Sequence, residues 1–179
     1  PVIDLLGDKI DFSVKFCDYA MHEKKELDEN LTQYCIQKEN NDKFAAYLNC
    51  FLESSDSASC ISEAGLSQSA IDSCVSSADK QYQVTANYED KNTWAGQFPP
   101  FNVNKEDAAK YGVQGSPTLV INGGQVSSGR SPQALLTAIC SGFNTPPAEC
   151  SQTLSTANPS AGFGSGTDTS GSAAAGCGS

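Results

Sequence analysis

Residues 111–124, YGVQGSPTLVINGG, decide the fold that the sequence predicts. Thr118–Ile121 is a short apolar strand, and Asn122-Gly123-Gly124 is a turn that leads into a return strand at Gln125. This stretch is therefore predicted to be a β-hairpin. Pro117 stands at the head of the first strand, where a proline removes a ladder donor and restrains the residue before it. Its position calls for a structural or functional reason.

Helical patterns precede and follow this hairpin. Apolar residues recur at helical spacing, and Ser67 and Ser131 are placed as N-caps. The predicted helices cover residues 1–6, 23–37, 42–52, 67–78, 105–111 and 133–140. Lys9–Phe16 instead alternates between apolar and polar residues, so it is predicted to be a strand packed on the core.

The composition indicates one domain and a low-complexity tail. The 179 residues are 39% hydrophobic, and no stretch approaches the ~20 apolar residues of a membrane span. The net charge of −10 comes without a basic stripe, which argues against nucleic-acid binding. Ser, Thr, Gly and Ala dominate residues 151–179, and such a segment is predicted to be disordered because it buries little apolar surface.

The chain has eight cysteines and a single histidine. Zinc sites usually combine Cys-x-x-Cys pairs with histidines, and no such pair is present, so no metal is predicted. Disulfides are the favoured interpretation, and they imply an extracytoplasmic protein that is periplasmic, secreted or at the cell surface. Cysteine order alone allows several pairings. The turns and helices that they bracket favour Cys140–Cys150, Cys50–Cys60 and Cys35–Cys74.

Four other positions have both a functional and a structural interpretation. Cys17 is a candidate nucleophile, although a half-buried structural thiol is favoured. His22 could be a general base, but its charged neighbours near a helix start favour a solvent-facing residue. Trp94 and Phe98–Phe101 could form an aromatic substrate surface, although a hinge that packs the helical region on the core is favoured. Cys177 is either a free thiol or an intermolecular link.

Two groups of thioredoxin-fold proteins share motifs with this chain. Gly112–Asn122, with Gly-Ser-Pro-Thr before an apolar strand and Asn-Gly, resembles the cis-proline loop of DsbA-like proteins. His22, Asn30 and Cys35 form an H-x7-N-x4-C pattern, which is similar to part of the signature of gamma-interferon-inducible lysosomal thiol reductase.

Two further segments resemble the same reductase family. Ala64–Cys74, AGLSQSAIDSC, is similar to its GLS-x3-I-x2-C segment, and Leu135–Cys150 is similar to its last helix and final cysteine. The resemblance covers about residues 1–150. It implies an incomplete α/β, thioredoxin-like domain over residues 1–150, with a helical, disulfide-stapled insertion at about 18–100 and a disordered tail at 151–179.

The chain departs from the family pattern at two places. Ala20 and Leu27 stand where that signature has cysteines, so one disulfide of the family is expected to be absent. The redox pair of the family, Cys-x-x-Cys, is also missing from the chain. The resemblance places it upstream of Pro1, so the chain is interpreted as truncated at its N-terminus and no residue in it is predicted to be catalytic.

The resemblance implies a thiol–disulfide oxidoreductase that acts on protein or peptide substrates with disulfides or thiols and needs no cofactor. A cis Ser116–Pro117 bond is expected, and the backbone of Ser116 would pair with an extended substrate. Ser116, Pro117 and Thr118 are the predicted substrate-binding residues, although Thr118 could equally be plain strand structure.

Two other functions fit the same sequence. One is a non-catalytic, extracytoplasmic module that binds peptides on a thioredoxin-like scaffold. The other is a structural surface protein whose Ser/Gly-rich tail links it to a partner through Cys177.

Overall fold

The computed structural model describes residues 1–160. These residues are mostly helical, with one antiparallel sheet of two strands. The helices are α1 (Val2–Leu6), α2 (Glu23–Glu39), α3 (Asn41–Ser54), α4 (Ser57–Glu63), α5 (Gln68–Tyr82), α6 (Val84–Glu89), α7 (Lys105–Tyr111) and α8 (Pro132–Cys140). The strands are β1 (Leu119–Ile121) and β2 (Gly124–Val126). Short 3-10 turns lie at Gly7–Lys9, Lys91–Thr93, Asn102–Asn104 and Ala148–Ser151.

The chain forms two compact units. Among the described residues, one contains Pro1–Phe12 together with residues 117–160, and the other is Ser13–Ser116. The structure confirms part of the predicted fold class, namely helices together with a small sheet. The thioredoxin-like arrangement and the division at residues 150 and 151 stay predictions.

Helix α2 is the centre of the unit formed by Ser13–Ser116. It contacts α3, α5 and α6, because apolar residues spaced three to four apart lie on one side of a helix and are buried together. The largest fully buried side chains in this unit are Leu27, Leu31, Ile36, Phe44, Tyr47, Ile71, Val84 and Phe101. The disulfide Cys35–Cys74 joins α2 to α5, and Cys50–Cys60 joins α3 to α4.

Side-chain caps define several helix starts. Ser67 accepts a hydrogen bond from the Ala70 amide at 3.4 Å, and Ser131 accepts one from the Ala134 amide at 3.2 Å. Both predicted N-caps are therefore confirmed. Pro132 occupies the first turn of α8, where the missing N–H has no helical partner to lose.

The predicted strand over Lys9–Phe16 is wrong. Gly7–Lys9 forms a 3-10 turn, and the chain that follows runs without a neighbouring strand in residues 1–160. Its backbone is bonded by side-chain amides instead. Gln37 accepts from the Val14 amide at 2.6 Å and donates to the Val14 carbonyl at 2.9 Å, and Asn104 accepts from the Phe16 amide at 3.0 Å.

The next residues pair with the stretch before the Asn102–Asn104 turn. The Phe101 amide donates to the Asp18 carbonyl at 2.9 Å, and the Ala20 amide donates to the Pro99 carbonyl at 3.0 Å. Phe101 is fully buried and its ring meets that of Phe16 edge-on, with 5.6 Å between centroids. This geometry supports a role for Phe98–Phe101 in holding the core together rather than in forming an open substrate surface.

In the other unit, α1 and α8 lie together around Val2, Leu6 and Leu136. Leu154 also contacts this cluster, and its amide donates to the Gln133 side-chain carbonyl at 2.7 Å. Residues near 154 thus have an apolar partner and a hydrogen bond on α8, and the predicted disorder of the tail stays a prediction. The rest of that prediction, with Cys177, lies outside the described residues.

No helix among residues 1–160 has the length and apolar character needed to cross a membrane.

A polar cluster lies between helices α2, α3 and α4. The Tyr47 hydroxyl donates to Glu29 Oε1 at 2.8 Å, and Gln33 donates to the same oxygen at 2.8 Å. Ser57 Oγ lies 2.7 Å from the Tyr47 hydroxyl. Burial raises the pKa of Glu29 above its ordinary 4.5, although these hydrogen bonds partly oppose the shift.

The first prediction concerns the amide of Gln37. Replacing Gln37 by Ala removes both hydrogen bonds to Val14, so the free energy of unfolding should fall by about 1–3 kcal/mol. Hydrogen exchange should show selective loss of protection at the Val14 amide. Gln68→Ala, an exposed change on α5, should stay within about 0.5 kcal/mol of wild type. Equal effects of the two changes would show that the Gln37 amide does not hold the segment.

The second prediction concerns pH. The folded state holds the Glu29 proton more tightly than the unfolded state, so the contribution of Glu29 to stability should decline as pH rises from its ordinary pKa toward the raised one. Glu29→Gln cannot ionise, and its stability relative to wild type should therefore increase between pH 4 and pH 7. Denaturant titrations across this range measure the difference. The exposed change Glu53→Gln should show no such trend, and a flat difference for Glu29→Gln would contradict the prediction.

Candidate functional site

The predicted hairpin is confirmed. Strand β1 pairs antiparallel with β2 in the register Leu119 with Val126 and Ile121 with Gly124. The two residues of the turn, Asn122 and Gly123, have φ of 49° and 84°. Positive φ at both positions is the requirement of a type I′ turn, and an Asn-Gly dipeptide meets it at low cost.

The tip of the hairpin is held against the end of α8. Asn122 donates from its side-chain amide to the Gly142 carbonyl at 2.7 Å. A Cβ at residue 142 would lie 2.7 Å from Ile121 Cγ2, so only glycine permits this approach. The contact fixes the orientation of β1 within its unit.

An open groove of about 660 Å³ lies beside the hairpin. Its walls come from the residue pair before β1, from β2, from the connection to α8 and from the first turns of α8. The lining side chains that matter for chemistry are Pro117, Thr118, Ser127, Ser128, Arg130 and Leu135. Of the three predicted substrate-binding residues, Pro117 and Thr118 line the groove, whereas the exposed Ser116 does not.

One edge of β1 has no strand partner within residues 1–160. In a hairpin with a two-residue turn, hydrogen-bonded and non-hydrogen-bonded pairs alternate away from the turn. Ile121 and Leu119 therefore bond to β2, while Val120 directs its N–H and C=O to the opposite edge. This edge offers one donor and one acceptor to an added chain.

The groove carries a positive charge. Arg130 is the only arginine of the sequence, and it is exposed and forms no ion pair or hydrogen bond with residues 1–160. Among the described residues, no carboxylate lines the groove. The sequence gives only a weak signal that Arg130 belongs to a binding site. It is a single arginine four residues after β2 and directly before the N-cap Ser131.

Cys17 is the only free cysteine among the described residues. Burial raises the pKa of its thiol above the ordinary 9.0, and the carboxylates of Asp18 and Glu26 raise it further. A thiol attacks as its thiolate, so this environment disfavours nucleophilic chemistry. The structure supports a structural thiol at Cys17.

His22 faces solvent at the start of α2. Its Nδ1 lies 3.1 Å from Glu26 Oε2, and the same carboxylate accepts from the amides of Met21 and His22 at 2.8 and 2.6 Å. This arrangement caps the helix start. It supports the solvent-facing interpretation of His22 rather than a general base.

Three disulfides form, and they join the pairs that the sequence favours. The Cα atoms are 5.8 Å apart in Cys35–Cys74, 5.6 Å in Cys50–Cys60 and 5.8 Å in Cys140–Cys150, which is normal disulfide spacing. Six of the eight cysteines are therefore in disulfides and have no free thiol. Across residues 1–160, no three His, Cys, Asp or Glu side chains converge as a metal site.

Comparison with known proteins found no matching family model, no matching curated protein and no matching solved structure. The likeness to thiol reductases therefore stays a prediction carried by the motifs of the sequence.

The third prediction concerns the reactivity of Cys17. In a Cys177→Ser background, alkylation by iodoacetamide at pH 7.5 should be slower than that of free cysteine, because little thiolate is present. The rate should rise with an apparent pKa above 9.0. Mass spectrometry of quenched samples measures the rate, and Cys17→Ser is the control. Fast alkylation at neutral pH would identify Cys17 as an activated nucleophile.

Proposed function

We propose that the chain is the substrate-binding part of a thiol–disulfide oxidoreductase of the DsbA and thiol-reductase type, with a thioredoxin-like fold. Its substrates are extended protein segments with disulfides or thiols. The observation that carries the proposal is the groove, because Pro117 and Thr118 line it and lead directly into β1, which has one edge without a strand partner within residues 1–160.

An extended substrate can bind by adding a strand. The N–H and C=O of Val120 point to the open edge of β1 and can pair with a backbone of any sequence. Backbone pairing suits an enzyme or module that accepts many proteins. Side-chain preference then comes from the groove next to the strand.

The chemistry requires a redox pair that residues 1–160 do not supply. On this proposal, the Cys-x-x-Cys pair lies upstream of Pro1, as the resemblance implies. A thiolate of the pair attacks a substrate disulfide, which forms a mixed disulfide and releases one substrate thiol. The second cysteine then attacks the mixed disulfide, so the pair ends oxidised and the substrate reduced; oxidation of a substrate is the reverse sequence.

An extracytoplasmic location is part of the proposal. Disulfides persist in oxidising compartments, and the three observed here are compatible with one. They also stabilise the protein where cytoplasmic chaperones are absent, each by about 2–4 kcal/mol.

The second candidate function is a non-catalytic peptide-binding module. The observation in its favour is that the described residues contain the groove and no activated thiol. The two functions differ in one feature, the redox pair. Intact mass and N-terminal peptide sequence of the native protein distinguish them.

The fourth prediction separates binding from redox activity. The 179-residue chain should not reduce insulin at a rate near that of thioredoxin, but it should bind carbamidomethylated insulin B chain, which is extended and has no thiol. Val120→Pro removes the outward N–H while β1 keeps its bonds to β2, so the Kd should rise about fivefold. Fluorescence anisotropy measures the affinity.

The control for this experiment is an exposed change elsewhere. Gln68→Ala on α5 should leave the affinity for the B chain unchanged. If Val120→Pro binds the B chain as tightly as wild type, the outer edge of β1 is not the site where the peptide pairs. Absence of binding by the wild-type chain would contradict the proposed function, and efficient insulin reduction would contradict an upstream redox pair.

A further inference from the structure

We propose that the groove selects substrates with an acidic side chain, and that Arg130 is the residue that binds its carboxylate. The inference rests on the proposed function, because it requires an extended polypeptide beside β1. It names the class of substrate that this surface prefers: segments with Asp or Glu next to the residue that pairs with the strand.

Within residues 1–160 of a strongly acidic protein, Arg130 has no ion-pair partner. The sequence has 21 Asp and Glu against 11 Lys and Arg, so carboxylates are abundant. Lys9 pairs with Asp8, Lys15 with Asp107 and Lys24 with Asp28. Arg130 forms no such pair within residues 1–160, and no carboxylate lines its groove.

The side chains around Arg130 suit a carboxylate. A guanidinium presents a planar fork of donors that matches the two oxygens of a carboxylate. The hydroxyl of Ser127 lines the same groove and can donate to a bound oxygen. Pro117 and Leu135 supply apolar wall against which the methylene groups of an Asp or Glu side chain can pack.

The charge balance favours a single carboxylate over a polyanion. One cation lines the groove, and the net charge of the chain is −10. A phosphate chain or nucleic acid would be repelled as a whole. A single carboxylate near Arg130 experiences mostly the local charge, because screening at ~0.15 M salt acts over about 8 Å.

The test uses three peptides of equal length that differ in one group. Each is a fluorescein-labelled decapeptide of Ser, Val and Thr around a central position. The first has central Glu and an amidated C-terminus, the second has central Gln and an amidated C-terminus, and the third has central Gln and a free C-terminal carboxylate. Fluorescence anisotropy gives the Kd of each peptide for wild type and variants.

The wild-type chain should bind the Glu peptide about 5- to 20-fold more tightly than the Gln peptide. This preference is larger than a fully exposed ion pair gives and smaller than a fully desolvated pair gives. Arg130→Gln should abolish this preference, and Arg130→Lys should retain only part of it, because an ammonium cannot bind both oxygens in a fork. The preference should also shrink as salt is raised.

Lys9→Gln is the matched control. It removes the same charge from the same unit at an exposed residue outside the groove, so the preference for Glu should persist. Arg130 is exposed and unpaired, so thermal melts of its variants should match wild type.

Two outcomes overturn the inference. Equal affinity for the amidated Glu and Gln peptides would show that the groove does not select a carboxylate, while the measured binding itself would leave the proposed function standing. Tight, Arg130-dependent binding of the third peptide alone would assign the site to a chain terminus instead of a side chain. Failure of all three peptides to bind wild type would be a failure of the proposed function.

Discussion

Backbone N–H and C=O groups of an extended chain need partners, and this requirement shapes both units of the protein. In the unit formed by Ser13–Ser116, a segment without a neighbouring strand is bonded by the amide side chains of Gln37 and Asn104. In the other unit, β1 is satisfied by β2 along one edge only. A side-chain amide can act as a strand partner because it presents the same donor and acceptor as a peptide group.

Strand β1, which has one edge without a strand partner within residues 1–160, lies in a region with several features of a binding site. Pro117 precedes the strand and lines an open groove, and Arg130, which has no ion pair or hydrogen bond within residues 1–160, is among the other lining residues. By contrast, the half-buried thiol of Cys17 and the hydrogen-bonded helix start at His22 support structural roles for these two residues. The proposed binding of an extended polypeptide therefore rests on the hairpin and its groove, and the proposed redox step needs a Cys-x-x-Cys pair that residues 1–160 do not contain.

Local features of the sequence were sufficient to predict much of the helical structure. The N-caps at Ser67 and Ser131 and the Asn-Gly turn of the hairpin were predictable because each depends on residues within four positions. The alternation in Lys9–Phe16 led to a wrong prediction of a strand. A period of two shows which side chains share a face, but it does not show that a neighbouring strand is present to pair with. The contact of Leu154 with α8 was not predictable from the Ser/Gly-rich composition, since it depends on the residues that the fold brings beside it.

The sequence by itself determined the helices, the hairpin and the group of cysteines that can pair, because capping, turn geometry and apolar spacing act over a few residues. Only the tertiary structure decided that Gln37 bonds Val14, that Glu29 is half-buried with a raised pKa, and that Arg130 shares a groove with Pro117 and Thr118. These relations join residues far apart in the chain, and burial and charge depend on what the fold brings together in space.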